Sequence, residues 1–312
     1  MKLREVGEDR LLEQLLGKLR TGRGVVVGPG DDCALVESGK PGLLYVLKTD
    51  CLVEQVHFTK ATRPALVGWK AMARPLSDFA AMSAIPRFAL VTLVVPSDRT
   101  VAWVRQFYRG LEKAARAFDV SVVGGETSDI KGPAVISISV TGSVEKDRWV
   151  GRAGAKPGDD LFVTGKLGGS LRSRHLTFAP RLAESRWLTE NFRIHAMMDL
   201  SDGLGADLPR LARASGLSFQ IDDAMLPRNR GCTISEAISD GEDYELLFAI
   251  SPNESKSLLS RWRKEFPLVR LTRIGRLNNR KSKIAVTQSA KQTRPGFPNR
   301  KFPRGYVHFQ ER

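Results

Sequence analysis

Seven acidic residues stand beside small, hydroxylic or glycine neighbours where a strand is expected to end or a helix to begin. GPGDD carries Asp31 and Asp32, LKTD carries Asp50, LSD carries Asp78, VVGGE carries Glu126, and DLSDG carries Asp199 and Asp202. Such positions can converge in a fold. Carboxylates gathered there repel one another and raise each other's pKa, so the cluster needs cations. Oxygen ligands without His or Cys company point to Mg2+, which binds through one or two carboxylates together with substrate phosphates. Taken singly, each acid is more often a turn residue or a helix cap; their recurrence carries the argument. No G-x-x-x-x-G-K-[ST] loop, no glycine loop with H-R-D and no G-x-G-x-x-G is present. No Ser/His/Asp or Cys/His arrangement suggests a covalent intermediate.

The elements that must position these acids follow from periodicity. Leucines at 11, 12, 15, 16 and 19 predict an amphipathic helix over 8–20. Strands are predicted at 25–27, 43–47, 89–95, 121–123 and 135–140. Between them lie a helix at 65–83, expected to break or kink at Pro75, and one at 100–118 whose apolar stripe includes Phe107, Tyr108 and Leu111. The Gly/Pro-rich segment 152–160 marks the boundary between an N-terminal domain, 1–148, and a C-terminal domain, 149–312. In the second half, strands are predicted at 161–164, 219–221, 244–250 and 271–274. Helices are predicted at 179–188, from DLSDG to 214, and at 254–265. Strands and helices mix without strict alternation, so the fold class is α+β, mixed α/β layers rather than one doubly wound sheet.

A length of 312 residues fits two ordinary domains, and 42% apolar with 27% charged residues excludes a disordered chain. The apolar run 88–95 is far shorter than the ~20 residues of a bilayer span, and MKLREVGEDR leads into no apolar leader core. Three cysteines without C-x-x-C spacing argue against disulfides or zinc, and the expectation is a reduced, cytoplasmic protein. The net charge of +15 is local. Residues 1–252 carry 33 Lys and Arg against 31 Asp and Glu, whereas 253–312 carry 16 against 3. Aromatics at Phe297, Phe302, Tyr306 and Phe309 within that segment would suit a nucleic-acid backbone; a solvated cationic face that attracts small anions is the preferred reading.

In their order and spacing, GDDCALV, TDCLVEQVHF, LSDFAAM, VVGGET, RAGAKPGDDLFVTGKLG, MMDLSDGLGADL and GEDYELLF resemble the motifs of thiamine-monophosphate kinases. These belong to the superfamily of aminoimidazole ribonucleotide synthetase and selenophosphate synthetase. The resemblance implies a two-domain fold like that of aminoimidazole ribonucleotide synthetase and a homodimer joined through its N-terminal domains. It implies phosphorylation of thiamine monophosphate to thiamine diphosphate with ATP and several Mg2+ ions. Position by position it implies metal ligation by Asp32, Thr49, Asp50, Asp78, Glu126, Asp199 and Asp202. Tyr108, Gly125, Glu126, Arg152 and Ser201 fall on ATP contacts, and His57, Glu242 and Tyr306 on the thiamine-phosphate pocket. Departures from the pattern are Glu126 for Asp, Lys48 for a small hydroxyl residue, Pro75 for Asn, Ser83 for Gly and Asp240 for Gly, with a shortened stretch from Gly168 to Asp199 that keeps HLTFAPRL.

An acceptor that is already a phosphate is mostly dianionic at neutral pH and needs no general base. The work is then to bring two polyanions into line, by positioning and electrostatics. Lys48 is expected to compensate for the longer Glu126 by supplying charge where a metal has shifted. Two rival readings remain at this level. One is another ATP-using enzyme of the same superfamily; the other is a catalytically weak binding protein with a nucleic-acid-associating tail.

Overall fold

The computed structural model describes residues 2–172, 174–280, 285–287 and 302–306. Phe297 and Phe309, with residues 281–284, 288–301 and 307–312 of the basic C-terminal segment, lie outside the described residues. The first half forms a six-stranded sheet from β1 (Val25–Val27), β2 (Ala34–Glu37), β3 (Leu43–Val53), β4 (Ile85–Val95), β5 (Ser121–Asp129) and β6 (Val135–Glu145), in the order β1-β2-β3-β6-β4-β5. All neighbours are antiparallel except β4 and β5. Helices α1 (Leu3–Val6) and α2 (Glu8–Leu16) precede the sheet; α3 (Pro64–Ala81) and α4 (Val101–Ala117) cover one of its faces. Strand alternation sends Leu44, Val46, Val91, Ile136 and Ile138 into the core under these helices. The same alternation leaves Tyr45, Leu47, Phe88 and Leu90 exposed on the other face.

The second half builds another six-stranded sheet from β7 (Asp160–Thr164), β8 (Ile194–Asp199), β9 (Leu217–Asp222), β10 (Leu246–Ile250), β11 (Leu271–Asn279) and β12 (Ala285–Thr287), in the order β12-β9-β11-β7-β10-β8. Its central strands are buried on both faces. Leu161, Val163 and Leu247 face α6 (Leu204–Ala214), while Phe162, Met197 and Phe248 face the side covered by α5 (Leu182–Asn191) and α8 (Pro252–Glu265). A short helix, α7 (Ile234–Ser239), precedes the GEDYEL loop.

The structure differs from the pattern-based expectation at several places, three of which bear on the site. Pro75 does not break its helix: α3 runs unbroken through it, with nearly every residue from Val67 to Ala81 buried. A proline inside a helix costs about 3 kcal/mol. Here α3 packs against α4, β3 and β6 and also against α5 and β8 of the other half, and burial on all sides outweighs that loss. Second, Ile194–Asp199 is a strand although IHAMMD has little strand character; its place beside β10 in a closed core decides it. Third, β3 extends through Lys48, Thr49 and Asp50, because the ladder with β6 pairs every residue from Leu43 to Val53.

Candidate active site

Four elements carry the acids to one cleft of about 500 Å³ between the two halves. Asp31 and Asp32 lie in the turn before β2, Asp50 in β3, Asp78 near the end of α3, and Asp199 at the last residue of β8. Asp202 follows in the loop whose Gly203, at φ +91°, opens α6. One oxygen each of Asp32, Asp78 and Asp199 lies within 4.8 Å of the other two, and all three residues are buried. Burial pushes the Asp199 carboxyl up to about 7, with the charge of Asp32 adding and a 2.6 Å hydrogen bond donated by Ser77 opposing. Burial likewise lifts Asp78 well above the usual carboxylate range against the pull of Lys48.

Cations of the chain are interleaved with these acids. Arg152 pairs with Asp32 at 2.5 Å, while the Arg152 backbone N–H donates to Asp31. Lys48 Nζ lies 3.0 Å from Asp78, and Arg74 Nε 3.5 Å from Asp50. Arg210 bridges Asp202 at 2.5 Å and Asp207 at 3.0 Å.

A second cavity of about 350 Å³ adjoins the first and shares Arg74, Ser201, Asp202 and Tyr244 with it; His57, Glu242 and Tyr306 complete its wall. The GEDYEL loop forms its floor, and each acid has a separate partner. Glu242 accepts from Lys70 at 2.5 Å and lies 2.8 Å from His175 Nδ1. Asp243 accepts from the Gly168 N–H and the Ser170 hydroxyl, and Glu245 pairs with Arg174 and Arg181. Glu242 and Tyr244 are held at φ +63° and +51°, a conformation that side chains other than glycine rarely adopt and that concentrates at functional sites. Although burial opposes it, the His175 hydrogen bond and the Lys70 charge hold the Glu242 carboxyl down at about 2. His57 Nδ1 accepts from the Val53 N–H at 2.9 Å, which puts the proton of a neutral ring on Nε2. Tyr306 is fastened by its backbone N–H to the Asp202 carbonyl at 2.8 Å, and Phe302 packs edge-on against Phe219.

The structure does not bring every expected residue to this place. Thr49 lies on the outer face of the first sheet, hydrogen-bonded to Ser137 and Ser139. Gly125 and Glu126 lie on β5, an edge strand exposed along its whole length. Cys51, Ser137, Thr92 and Glu126 form one ladder row across β3, β6, β4 and β5. Glu126 therefore stands about 14 Å from β3 at ~4.8 Å per strand step, on the face away from Lys48. The expected compensation between Lys48 and Glu126 within one chain is thus ruled out: Lys48 is engaged by Asp78 and by the Asp32 carbonyl. Tyr108 is 36% exposed on α4, edge-on to Phe107, rather than buried in the helix stripe.

Arg74, Lys70, His175, Arg210 and Tyr244 were not among the expected site residues. A signal existed for the first two, a Lys and an Arg in the otherwise apolar run before LSD, and for His175 in the retained HLTFAPRL segment.

Comparison with known proteins agrees with this architecture. The family model "AIR synthase related protein, N-terminal domain" matches residues 30–144, and "AIR synthase related protein, C-terminal domain" matches 156–287. The thiamine-monophosphate kinase of Rhodopirellula baltica is 36% identical over 96% of this chain and 97% of its own length; that of Bacillus subtilis is 32% identical over 92% and 94%. The solved structure of AaThiL complexed with AMPPCP and TMP superposes with a TM-score of 0.80 at 32% identity, covering 99% of both chains. With both halves matched in order and curated members 32–36% identical over more than nine-tenths of the chain, the chain belongs to the thiamine-monophosphate kinase family.

Proposed function

We propose that the chain transfers the terminal phosphoryl group of ATP directly to the phosphate of thiamine monophosphate, giving thiamine diphosphate and ADP. The observation that carries this reading is the shared wall of the two cavities. A carboxylate cleft suited to polyphosphate and cations opens through Ser201, Asp202 and Arg74 into a pocket bearing Tyr244, Tyr306, His57 and a Glu242 ionised at neutral pH. In this reading residues 1–148 carry the nucleotide and cation side, and residues 149–312 complete the substrate pocket.

The donor set fits Mg2+. Three carboxylates converge with no nitrogen or sulfur ligand among them, and Asp32 Oδ2 is buried without a hydrogen-bond partner. Asp32, Asp78 and Asp199 would hold such ions, with Asp50 and Asp202 at the rim, and Mg2+ bound there neutralises phosphate oxygens. The chain itself does the rest. Arg152 offers a guanidinium beside the cleft for phosphate oxygens. Glu242 and the aromatic walls fix the thiamine moiety so that its phosphate faces the cleft. No side chain needs to take a proton from the acceptor.

The reading includes a homodimer formed through the bare face of the first sheet. Tyr45, Leu47, Phe88 and Leu90 are each more than 40% exposed on that one face, on either side of the Ser139, Thr141 and Ser143 row of β6, and exposed apolar side chains rimmed by polar ones mark an interaction surface. A second copy packed there would also let Thr49, Gly125 and Glu126 meet a nucleotide, whereas Tyr108 lies on α4, on the covered side of the sheet. A cytoplasmic location belongs to the same reading, supported by three free thiols at Cys33, Cys51 and Cys232. No helix among the described residues is long and apolar enough to cross a membrane. Incubation with ATP, Mg2+ and thiamine monophosphate, followed by chromatography, should yield thiamine diphosphate and ADP in equal amounts. ADP without thiamine diphosphate would refute the assigned acceptor.

A further inference from the structure

Two cations enter the carboxylate cleft from inside the fold. Lys48 reaches it from β3. Its Nζ lies 3.0 Å from Asp78 Oδ1 and donates to the Asp32 carbonyl at 3.0 Å, with side chains 22% and 11% exposed for Lys48 and Asp78. Arg74 reaches it from α3. Its Nη1 donates to the Cys51 carbonyl at 2.9 Å, and its Nε is 3.5 Å from Asp50 Oδ2, close enough for an ion pair but without a hydrogen bond of its own. Arg152 covers Asp32 and Arg210 covers Asp202 in the same way. Of Asp32, Asp50, Asp78, Asp199 and Asp202, only Asp199 is held by a neutral side chain, Ser77.

A carboxylate in contact with a fixed ammonium or guanidinium presents less negative potential to a second cation, and the two cations repel at this range. A divalent ion that ligates Asp78 or Asp50 must displace or face Lys48 or Arg74, whose stems are anchored in packed elements. We propose that Lys48 and Arg74 are resident cations that occupy the charge positions of divalent ions on Asp78 and Asp50, so that this chain loads fewer divalent ions than its carboxylates could otherwise hold. Arg152 takes only Oδ1 of Asp32 and leaves Oδ2 buried without a partner, so what remains for a metal is Asp32 Oδ2 with Asp199. This inference rests on the reading of the cleft as a metal and phosphate site.

The test uses the full chain without nucleotide and Mn2+ as the probe, counting bound ions by the loss of the free Mn2+ paramagnetic resonance signal. Lys48→Met and Arg74→Met keep the stems and remove the charges, whereas Lys48→Arg keeps a charge. Each methionine variant should bind one more Mn2+ than the parent, or bind it at least 10-fold more tightly, and Lys48→Arg should match the parent. Removing either cation leaves a carboxylate uncompensated, so thermal melting gives a second readout. Mn2+ should raise the melting temperature of the methionine variants more than that of the parent. Unchanged stoichiometry and affinity in folded Lys48→Met overturn the proposal while leaving the metal-cleft reading standing. Absence of Mn2+ binding in all four proteins overturns both. If Arg74→Met does not fold, Lys48→Met and Lys48→Arg decide the outcome by the same criteria.

Discussion

Asp199 is placed where its charge works against the fold. Its carboxyl is raised to about 7 by burial and by Asp32, so between its ordinary value of 3.8 and about 7 the unfolded chain holds the charge more easily than the folded one. The ionised form at neutral pH therefore costs stability. An Asn at this position keeps the shape and its amide oxygen still accepts from Ser77, but the charge is gone. Asp199→Asn should melt a few degrees higher than the parent in metal-free buffer and turn over at least about 100-fold more slowly, the pattern of a site that trades stability for activity. A lower melting temperature with normal turnover would remove Asp199 from the cation site. Glu242 has the opposite sign. Its carboxyl sits at about 2, below the ordinary 4.5, so its stabilisation is full above 4.5 and is lost as pH falls through about 2. The window corresponds to about 3 kcal/mol. Denaturant unfolding of Glu242→Gln should show a deficit of that order at pH 7 that closes by pH 2; a deficit independent of pH would mean that packing, not charge, holds this loop.

At the scale of elements, the site depends on how closely α3 lies against α4. Gly68 lies against the backbone of Phe107 and Leu111 across that contact, and a Cβ on Gly110 would run into the backbone of Ala65. Since backbone rather than a flexible side chain stands in the way, the helices must separate, and Lys70, Arg74 and Asp78 move with α3. Gly110→Ala should cost at least about 3 kcal/mol. Gly132→Ala, where nothing lies within 4 Å of the added carbon, should change stability by no more than about 0.5 kcal/mol. Equal melting temperatures for the two variants would contradict the close packing of α3 on α4. At the other end of α3, Ser83 adopts φ +55°, which accounts for the glycine usual there. Its hydroxyl is within 2.7 Å of Thr189 Oγ1, and its carbonyl accepts from Arg186, which also pairs with Glu145. The serine thus helps fasten α5 of one half to β6 and α3 of the other.

At the scale of the whole molecule, the two sheets are treated unequally. The second is covered on both faces, the first on one, and its bare face carries both the exposed apolar residues and the polar row of Thr49, Ser137 and Ser139. Leu90 is 47% exposed in a single chain, so Leu90→Arg should fold normally. If the proposed dimer forms through this face, the parent should sediment as a dimer and Leu90→Arg as a monomer. Its KM for ATP should rise by about 10-fold or more with a smaller change for thiamine monophosphate, because Gly125 and Glu126 would no longer be supplied across the interface. A monomeric variant with parental kinetics would show that one chain holds a complete site.

The acids of the cleft were legible in the sequence because each carries a local signature: an Asp within two residues of Ser, Thr, Gly or a second Asp. GDD, LSD, DLSDG and GEDYEL also fix their neighbours' backbone, so their identity survives without knowledge of contacts. The apolar stripe of α4 and the alternation of β4 and β6 were legible for the same reason, since side-chain periodicity is a property of the local backbone. What pairs with those acids was not. Lys70 meets Glu242 and Arg152 meets Asp32 across more than 100 residues of chain, and no local pattern encodes such a pairing. Tertiary packing also overruled local preference at Pro75, where burial on every side kept a helix intact, and at Ile194–Asp199, where pairing with β10 at the sheet edge outweighed composition. The separation of Glu126 from Lys48 belongs to the fold as well. Strand order and face are set by which edges pair and which sides are covered, and these are decided only when the whole chain has closed around its cores.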